Sequence, residues 1–175
     1  MRIQIICALI APMAFYSSGC STKTAEVPPG RMGENLRVGS LIYNITETSW
    51  TDQLGDSGAR MPANQFLLVR VSVTNSGGSD TIIPAMSLID ANGEIYNELT
   101  DGTGVRDWLG MIRRIKPAQS EHGSVLFDVP VNAYTLQVSY EDDDPEHEVI
   151  GRVNIPLKFD AEPPPPPADK AVPTR

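Results

Sequence analysis

Phe66-Leu67-Leu68-Val69-Arg70-Val71-Ser72-Val73-Thr74-Asn75 decides the fold class. Val69, Val71 and Val73 alternate with Arg70, Ser72 and Thr74. A period of two places apolar side chains on one face of an extended chain and polar ones on the other, the pattern of a strand with one wet face. Asn75-Ser76-Gly77-Gly78 ends this strand as a turn, because Asn and Gly tolerate the backbone angles of a reversal. The pattern continues outward. Residues 36–45 read as a first strand or strand pair. Residues 81–83 and 86–90 follow, with Pro84 marking an edge or a bend. Asp90-Ala91-Asn92-Gly93 is a tight turn, since Asn-Gly accepts positive φ cheaply, and pairing resumes at Glu94-Ile95-Tyr96. Residues 123–130 and 134–140 are two more alternating strands, with Val125, Phe127 and Val129 directed inward, and residues 149–159 close the set. Only residues 107–114 have room for a helical turn. Seven or eight short strands separated by turn signals predict an all-β antiparallel sandwich, and the lack of crossover helices excludes an α/β fold.

Composition narrows the classes further. The chain has 175 residues, which suits one folded domain. Twenty-two acidic and 14 basic side chains give a net charge of −8, which argues against nucleic acid as a partner because phosphate binding needs clustered Lys and Arg. Two cysteines cannot build a disulfide scaffold or a four-thiolate metal site.

The first residues carry an address. Met1-Arg2 is a short basic start, and residues 3–16 are mostly apolar. That run is shorter than the ~20 apolar residues a spanning helix needs, so it reads as the apolar region of a signal peptide over residues 1–19. Ser17-Ser18-Gly19-Cys20 follows and is similar to a bacterial lipobox, with Ser17 where an aliphatic residue is usual. Cys20 is then the lipidated residue. The alternatives are a plain secretory signal that leaves Cys20 as a free thiol, and an uncleaved anchor. The mature chain holds one cysteine and hence no disulfide partner, and a lone thiol is a liability in an oxidising compartment. Several acyl chains at ~0.8 kcal/mol per buried methylene give a stable membrane anchor. Ser21 stands where many two-membrane bacteria place the Asp that retains a lipoprotein at the inner membrane, so a two-membrane host would sort this chain to the outer one. Removing residues 1–19 takes away Arg2 and no acid, leaving 13 bases against 22 acids, a net charge of −9.

The mature chain divides by composition. Residues 20–35 are polar, hold Pro28-Pro29-Gly30 and Gly33, and read as a flexible tether. Residues 36–159 form the sandwich. Residues 160–175 contain five consecutive prolines, Pro163 to Pro167, and read as a proline-rich disordered tail: a stiff spacer, or a docking peptide.

The order of motifs inside the sandwich carries a resemblance. Val-Thr-Asn-Ser-Gly (73–77) is followed by Leu-Ile-Asp-Ala-Asn-Gly-Glu-Ile-Tyr (88–96), then Ile-Lys-Pro-Ala-Gln-Ser (115–120), then Gly-Ser-Val-Leu-Phe-Asp-Val-Pro (123–130). Over residues 36–158 this resembles the telokin-like domain of unknown function of many bacterial lipoproteins, whose fold is like that of a mycobacterial immunoprotective secreted antigen. Ala118 stands after Pro117 where the family pattern has Gly. The resemblance implies an immunoglobulin-like β-sandwich exported to the cell envelope. It carries over no catalytic residue.

Candidate chemistry is sparse. Glu141-Asp142-Asp143-Asp144-Pro145-Glu146-His147-Glu148 holds six carboxylates between two strands. Hard oxygen donors suit Ca²⁺, with Asp142, Asp143, Asp144 and Glu146 as ligands, but there is no sharp-turn Gly and no EF-hand spacing; the plainer reading is a solvated acidic loop. His122 and His147 with Met61, Met86 and Met111 offer soft ligands for copper, yet none lie at short ligand spacing, and Met86 is expected in the core. No Gly-x-Ser-x-Gly elbow occurs, the mature Cys sits at the tether, and Gly102-Thr103-Gly104 precedes no helix, so neither nucleophilic catalysis nor phosphate binding is expected. Arg113-Arg114-Ile115-Lys116 is a basic cluster beside Trp108, Leu109, Met111 and Ile112. Trp108, Arg113, Arg114 and Lys116 are therefore the candidate contact residues, for a polyanion, a partner or membrane lipid headgroups; the plainer reading is a strand or loop with outward charges and Trp108 packed on the sandwich. The expectation is a membrane-anchored envelope lipoprotein that works by binding an envelope protein partner, without catalysis or cofactor. Alternatives are a Ca²⁺- or copper-binding module and a purely structural surface antigen.

Overall fold

The computed structural model describes residues 23–55, 60–141 and 147–158. In chain order the strands are β1 (Lys23–Glu26), β2 (Gly30–Arg31), β3 (Asn35–Val38), β4 (Leu41–Thr51), β5 (Gln65–Asn75), β6 (Thr81–Ile82), β7 (Ser87–Ile89), β8 (Ile95–Asn97), β9 (Arg114–Ile115), β10 (Ser120–Val129), β11 (Tyr134–Glu141) and β12 (His147–Ile155). One sheet runs β10-β5-β4-β3, and the facing sheet runs β1-β12-β11-β7-β8 with β2 also on β12. β6 and β9 form a separate two-stranded ribbon. The described residues contain no helix. The all-β sandwich expected from the period-two strands is the fold. It has more strands than the seven or eight expected, because short pairing segments such as β2, β6 and β9 carry too few residues to show a period.

The alternation in β5 sorts its side chains as expected. Leu67, Val69, Val71 and Val73 are buried at 0–1% exposure, while Arg70 is exposed. They face Leu88, Leu136, Val138 and Val153 of the other sheet in one continuous core. Burying a side chain of this size contributes about 1.5–3 kcal/mol. Residues 36–45 resolve as the strand pair β3–β4, turning at Gly39 (φ +59°). A Cβ on Gly39 would lie 2.1 Å from the Tyr140 ring, so the turn needs Gly for both its angle and its space. Asp90 caps the β7–β8 turn, its Oδ1 accepting from the N–H groups of Asn92 and Glu94 at 2.8 Å, with Gly93 at φ +85°.

Three expectations are corrected. The tether assigned to residues 20–35 is largely sheet: β1 pairs in parallel with β12 over Lys23–Glu26, and β2 over Gly30–Arg31. Met32 is buried at 7% exposure. Arg152 on β12 also pairs with Glu26. The polar, proline-bearing composition hid these strands because edge strands need few apolar residues and tolerate Pro between them. The sandwich accordingly includes two parallel pairings and begins near residue 23. The helical turn allowed at 107–114 is absent; Asp107 (φ +53°) and Gly110 (φ +78°) keep the chain irregular there. Last, the outer face of β5 and β10 is not wet throughout. Phe66 and Leu126, at 1% and 0% exposure, pack with Leu54 in a second small core under Leu99 and Val105.

The two sheets define two ends. At the first lie the starts of β1 and β12, the end of β11 and the Gly39 turn against Tyr140. At the second lie the β10–β11 connection, the Asp90 turn and Pro156. β12 has nine residues, so the ends are ~27 Å apart at ~3.4 Å per residue.

Candidate functional site

The segment from Glu98 to Arg114 leaves the facing sheet after β8, crosses the free edge of β10, and returns as β9. Its path is fixed at many points. Glu98 N donates to Met86 O at 3.2 Å, and Leu99 N to Leu126 O at 2.8 Å. Ser124 N donates to Asp107 O at 2.8 Å and Leu109 N to Ser124 O at 3.1 Å, so the segment occupies hydrogen-bonding groups that β10 would otherwise expose. Arg60 reaches over the Phe66 ring (5.3 Å) and donates to Asp101 O at 2.6 Å. A Cβ on Gly102 would lie 2.0 Å from the Trp108 indole. Trp108 is therefore a half-buried lid on Gly102, bridged to Ser124, rather than a free contact side chain.

Arg113 anchors the end of this segment. Its Nη2 donates to Glu98 Oε2 at 2.8 Å, both side chains being 2% exposed. Nε donates to Gly110 O, and Nη1 reaches Pro84 O at 3.4 Å. This corrects the expectation that Arg113 is a partner-contact residue. A guanidinium with a carboxylate and two carbonyls around it is satisfied inside the protein, and no charge is left to offer. Glu98 is the residue that sequence reasoning missed, because a lone Glu between Asn97 and Leu99 has no motif. Burial pushes its carboxyl above the usual carboxylate range, against the opposing pull of Arg113. Its Oε1 is buried without a hydrogen-bond partner.

Around this buried anchor the surface is exposed and mixed. Ile112 is 95% exposed, Ile82 54% and Met111 38%. Arg114 and Lys116 are exposed. Arg114 pairs with Ile82 across the β6–β9 ribbon. Ile82, Arg114, Asp80, Thr81 and Pro84 line a cleft of about 420 Å³ that ends on Glu141. The ribbon is held to the sandwich by Asn75, a fully buried amide whose Nδ2 donates to Ser79 O (2.8 Å) and Ile115 O (3.2 Å), and whose Oδ1 accepts from Gly77 N (2.8 Å).

The other candidates separate. Met86 is buried at 1% exposure in the core, as expected, whereas Met61 and His122 are exposed. Among the described residues, no group of three or more His, Cys, Asp or Glu is placed to hold a metal. Cys20 and the acidic residues Asp142, Asp143, Asp144 and Glu146 lie outside the described residues, as do the signal peptide and the proline run.

The described residues form an all-β sandwich with an irregular segment laid over one sheet edge. The chain belongs to the family described as Domain of unknown function (DUF4352), whose model matches residues 30–148. No curated protein matches it. Among solved structures it is similar to the yjhA protein from Bacillus subtilis (14% identity, 71% of this chain and 99% of that one, TM-score 0.56). It is also similar to a functionally unknown protein from Listeria monocytogenes (12% identity, 71% and 82%, TM-score 0.53). The secreted protein MPT63 from Mycobacterium tuberculosis matches at 16% identity over 71% and 95%, with TM-score 0.48. The family resemblance read from the motif order is thus correct. At these identities the two matches with TM-scores of 0.56 and 0.53 show the fold alone.

Proposed function

We propose that this protein is a lipid-anchored component of the cell envelope that acts by binding, without catalysis, through the segment that ends in the β6–β9 ribbon. The observation that carries this is Ile112. Ile112 (95% exposed), Ile82 (54%) and Met111 (38%) leave three large apolar side chains exposed on this segment and its ribbon, and grouped exposed apolar residues mark a contact site. Ile112 sits one residue before a guanidinium buried to 2%, so the backbone that displays it is fixed. A displayed apolar residue on a fixed base, with Arg114 and Lys116 beside it, is the form of a contact point. The lipobox-like Ser17-Ser18-Gly19-Cys20 supports the anchor.

Two measurements test the two halves. Cys20→Ala is expected to move the protein from the membrane fraction to the soluble fraction; unchanged membrane association defeats the anchor. A photo-reactive amino acid placed at 112 is expected to crosslink in cells far more than one at Val131 at the second end, and equal yields defeat the contact point.

A further inference from the structure

With a lipid on Cys20, the short link to β1 decides how this domain sits relative to its membrane. β1 begins at Lys23, so only Ser21 and Thr22 separate the anchor residue Cys20 from the first hydrogen-bonded strand. Chain geometry limits this link to ~10 Å at ~3.3–3.6 Å per residue. That is well under half of the ~27 Å separation of the two ends, taken from nine residues of β12 at ~3.4 Å each. Lys23 pairs with His147 at the first end, and β1 runs from there toward the second. A lipid on Cys20 therefore holds the first end at the bilayer and leaves the second end facing away. Had residues 20–35 been a free tether, no orientation would follow.

We propose that the domain rests on its membrane by this first end, and that the occupant of the β6–β9 surface is the lipid headgroup layer. This rests on the anchor proposed above and names the partner of the same contact surface. The ribbon lies at the correct end: Ile82 and Arg114 line the cleft that ends on Glu141, the last residue of β11. Beyond the ribbon, Ala118 N donates to Asn75 O at the end of β5, which puts Lys116 in the same place. Ile82 offers an apolar side chain to the interface, and Arg114 and Lys116 offer cations to lipid phosphates, while Ile112 lies farther from this end, next to Arg113, which bonds Glu98. Glu141 and Asp80 share this end and oppose anionic lipid. The short covalent link, not net charge, is what keeps the surface in place.

The test uses the full-length mature lipoprotein in phosphatidylcholine vesicles that contain a headgroup-nitroxide lipid. Its single native cysteine is the anchor, so an introduced cysteine is labelled uniquely. Ile82→Cys, Ile112→Cys and Val131→Cys, all at exposed positions, carry an environment-sensitive fluorophore. The probe at 82 is expected to lose most of its emission and the probe at 112 less, while the probe at 131 keeps it. Equal quenching at all three, or stronger quenching at 131, overturns the orientation. No quenching at any probe, with the protein floating with the vesicles, also overturns it and leaves the surface for an envelope protein. Flotation of Cys20→Ala alongside the native protein reads the anchor separately. If the variant floats equally well, the anchor reading falls, and the orientation with it.

Discussion

Asn75 shows how much one side chain does in this fold. Its amide joins the end of β5, the 76–79 turn and β9 through three hydrogen bonds, the one to Ile115 O buried and the other two part-buried. Asn75→Ala would leave the buried Ile115 O unpaired and open two part-buried bonds, so a loss of about 2 kcal/mol is expected, read as a lower urea midpoint at unchanged slope. Ala118 shows the reverse case. It takes φ +58°, the conformation that suits the Gly of the family pattern, and so retains the turn while bearing a Cβ. The left-handed region costs a non-Gly residue ~1–2 kcal/mol, whereas Gly adds ~0.4–1 kcal/mol of unfolded-chain entropy. The strain is larger, so Ala118→Gly is expected to stabilise the protein by about 0.5–1 kcal/mol in equilibrium unfolding. A destabilised variant would mean that the Cβ makes a contact worth more than the strain.

At the scale of the element, the Glu98–Arg113 pair decides whether the segment over β10 stays in place. A buried pair gains little net stability over apolar residues of the same size, but removing one partner leaves an uncompensated buried charge. Arg113→Met is therefore expected to cost about 3–5 kcal/mol, while Glu98→Leu combined with Arg113→Met recovers most of that loss. If the losses of the two single variants simply add in the double variant, the residues do not act as a pair. This element also marks where sequence reading stops. β5 and the Asp90 turn were legible because a strand's period and an Asn-Gly turn are local properties, written in neighbouring residues. Phe66 and Leu126 gave a different signal: they are apolar residues on a face where Arg70, Ser72 and Thr74 predict water. Their cover comes from Leu99 and Val105, far away in the chain. The direction of Arg113 was illegible for the same reason. Whether a guanidinium faces solvent or a carboxylate fifteen residues away is settled only by the path between them.

Over the whole molecule, two phenols tie separated parts together. Tyr43 on β4 donates to Ser139 O on β11 at 2.8 Å across the core, and Tyr134 donates to Pro130 O at 2.6 Å, closing the β10–β11 corner. Burial holds Tyr43 far above the usual tyrosine value and pushes Tyr134 up to about 12. In the unfolded chain both ionise near 10, so above that pH the unfolded state loses protons the native state keeps. Stability is therefore full below about pH 10 and falls between pH 10 and 12, by about 1.4 kcal/mol per pH unit for each fully buried phenol. Tyr43→Phe is expected to be less stable at pH 7 but to show a shallower alkaline decline in thermal unfolding; an unchanged decline would mean the phenol does not stay protonated in the fold. The domain boundary is the remaining whole-molecule property, and composition placed it thirteen residues late, at 36 instead of 23. A chain starting at residue 36 loses β1, β2 and the buried Met32, and leaves the outer edge of β12 unpaired. Loss of one buried side chain and six residues of pairing should remove about 2–4 kcal/mol, or roughly 10 °C in Tm for a domain of this size. The bared edge should also self-associate. A chain starting at residue 21 is expected to be monomeric by size-exclusion chromatography and to melt at the higher temperature. Equal Tm and equal elution of the two would restore residues 23–35 to the role of a tether and remove the basis for placing the first end at the membrane.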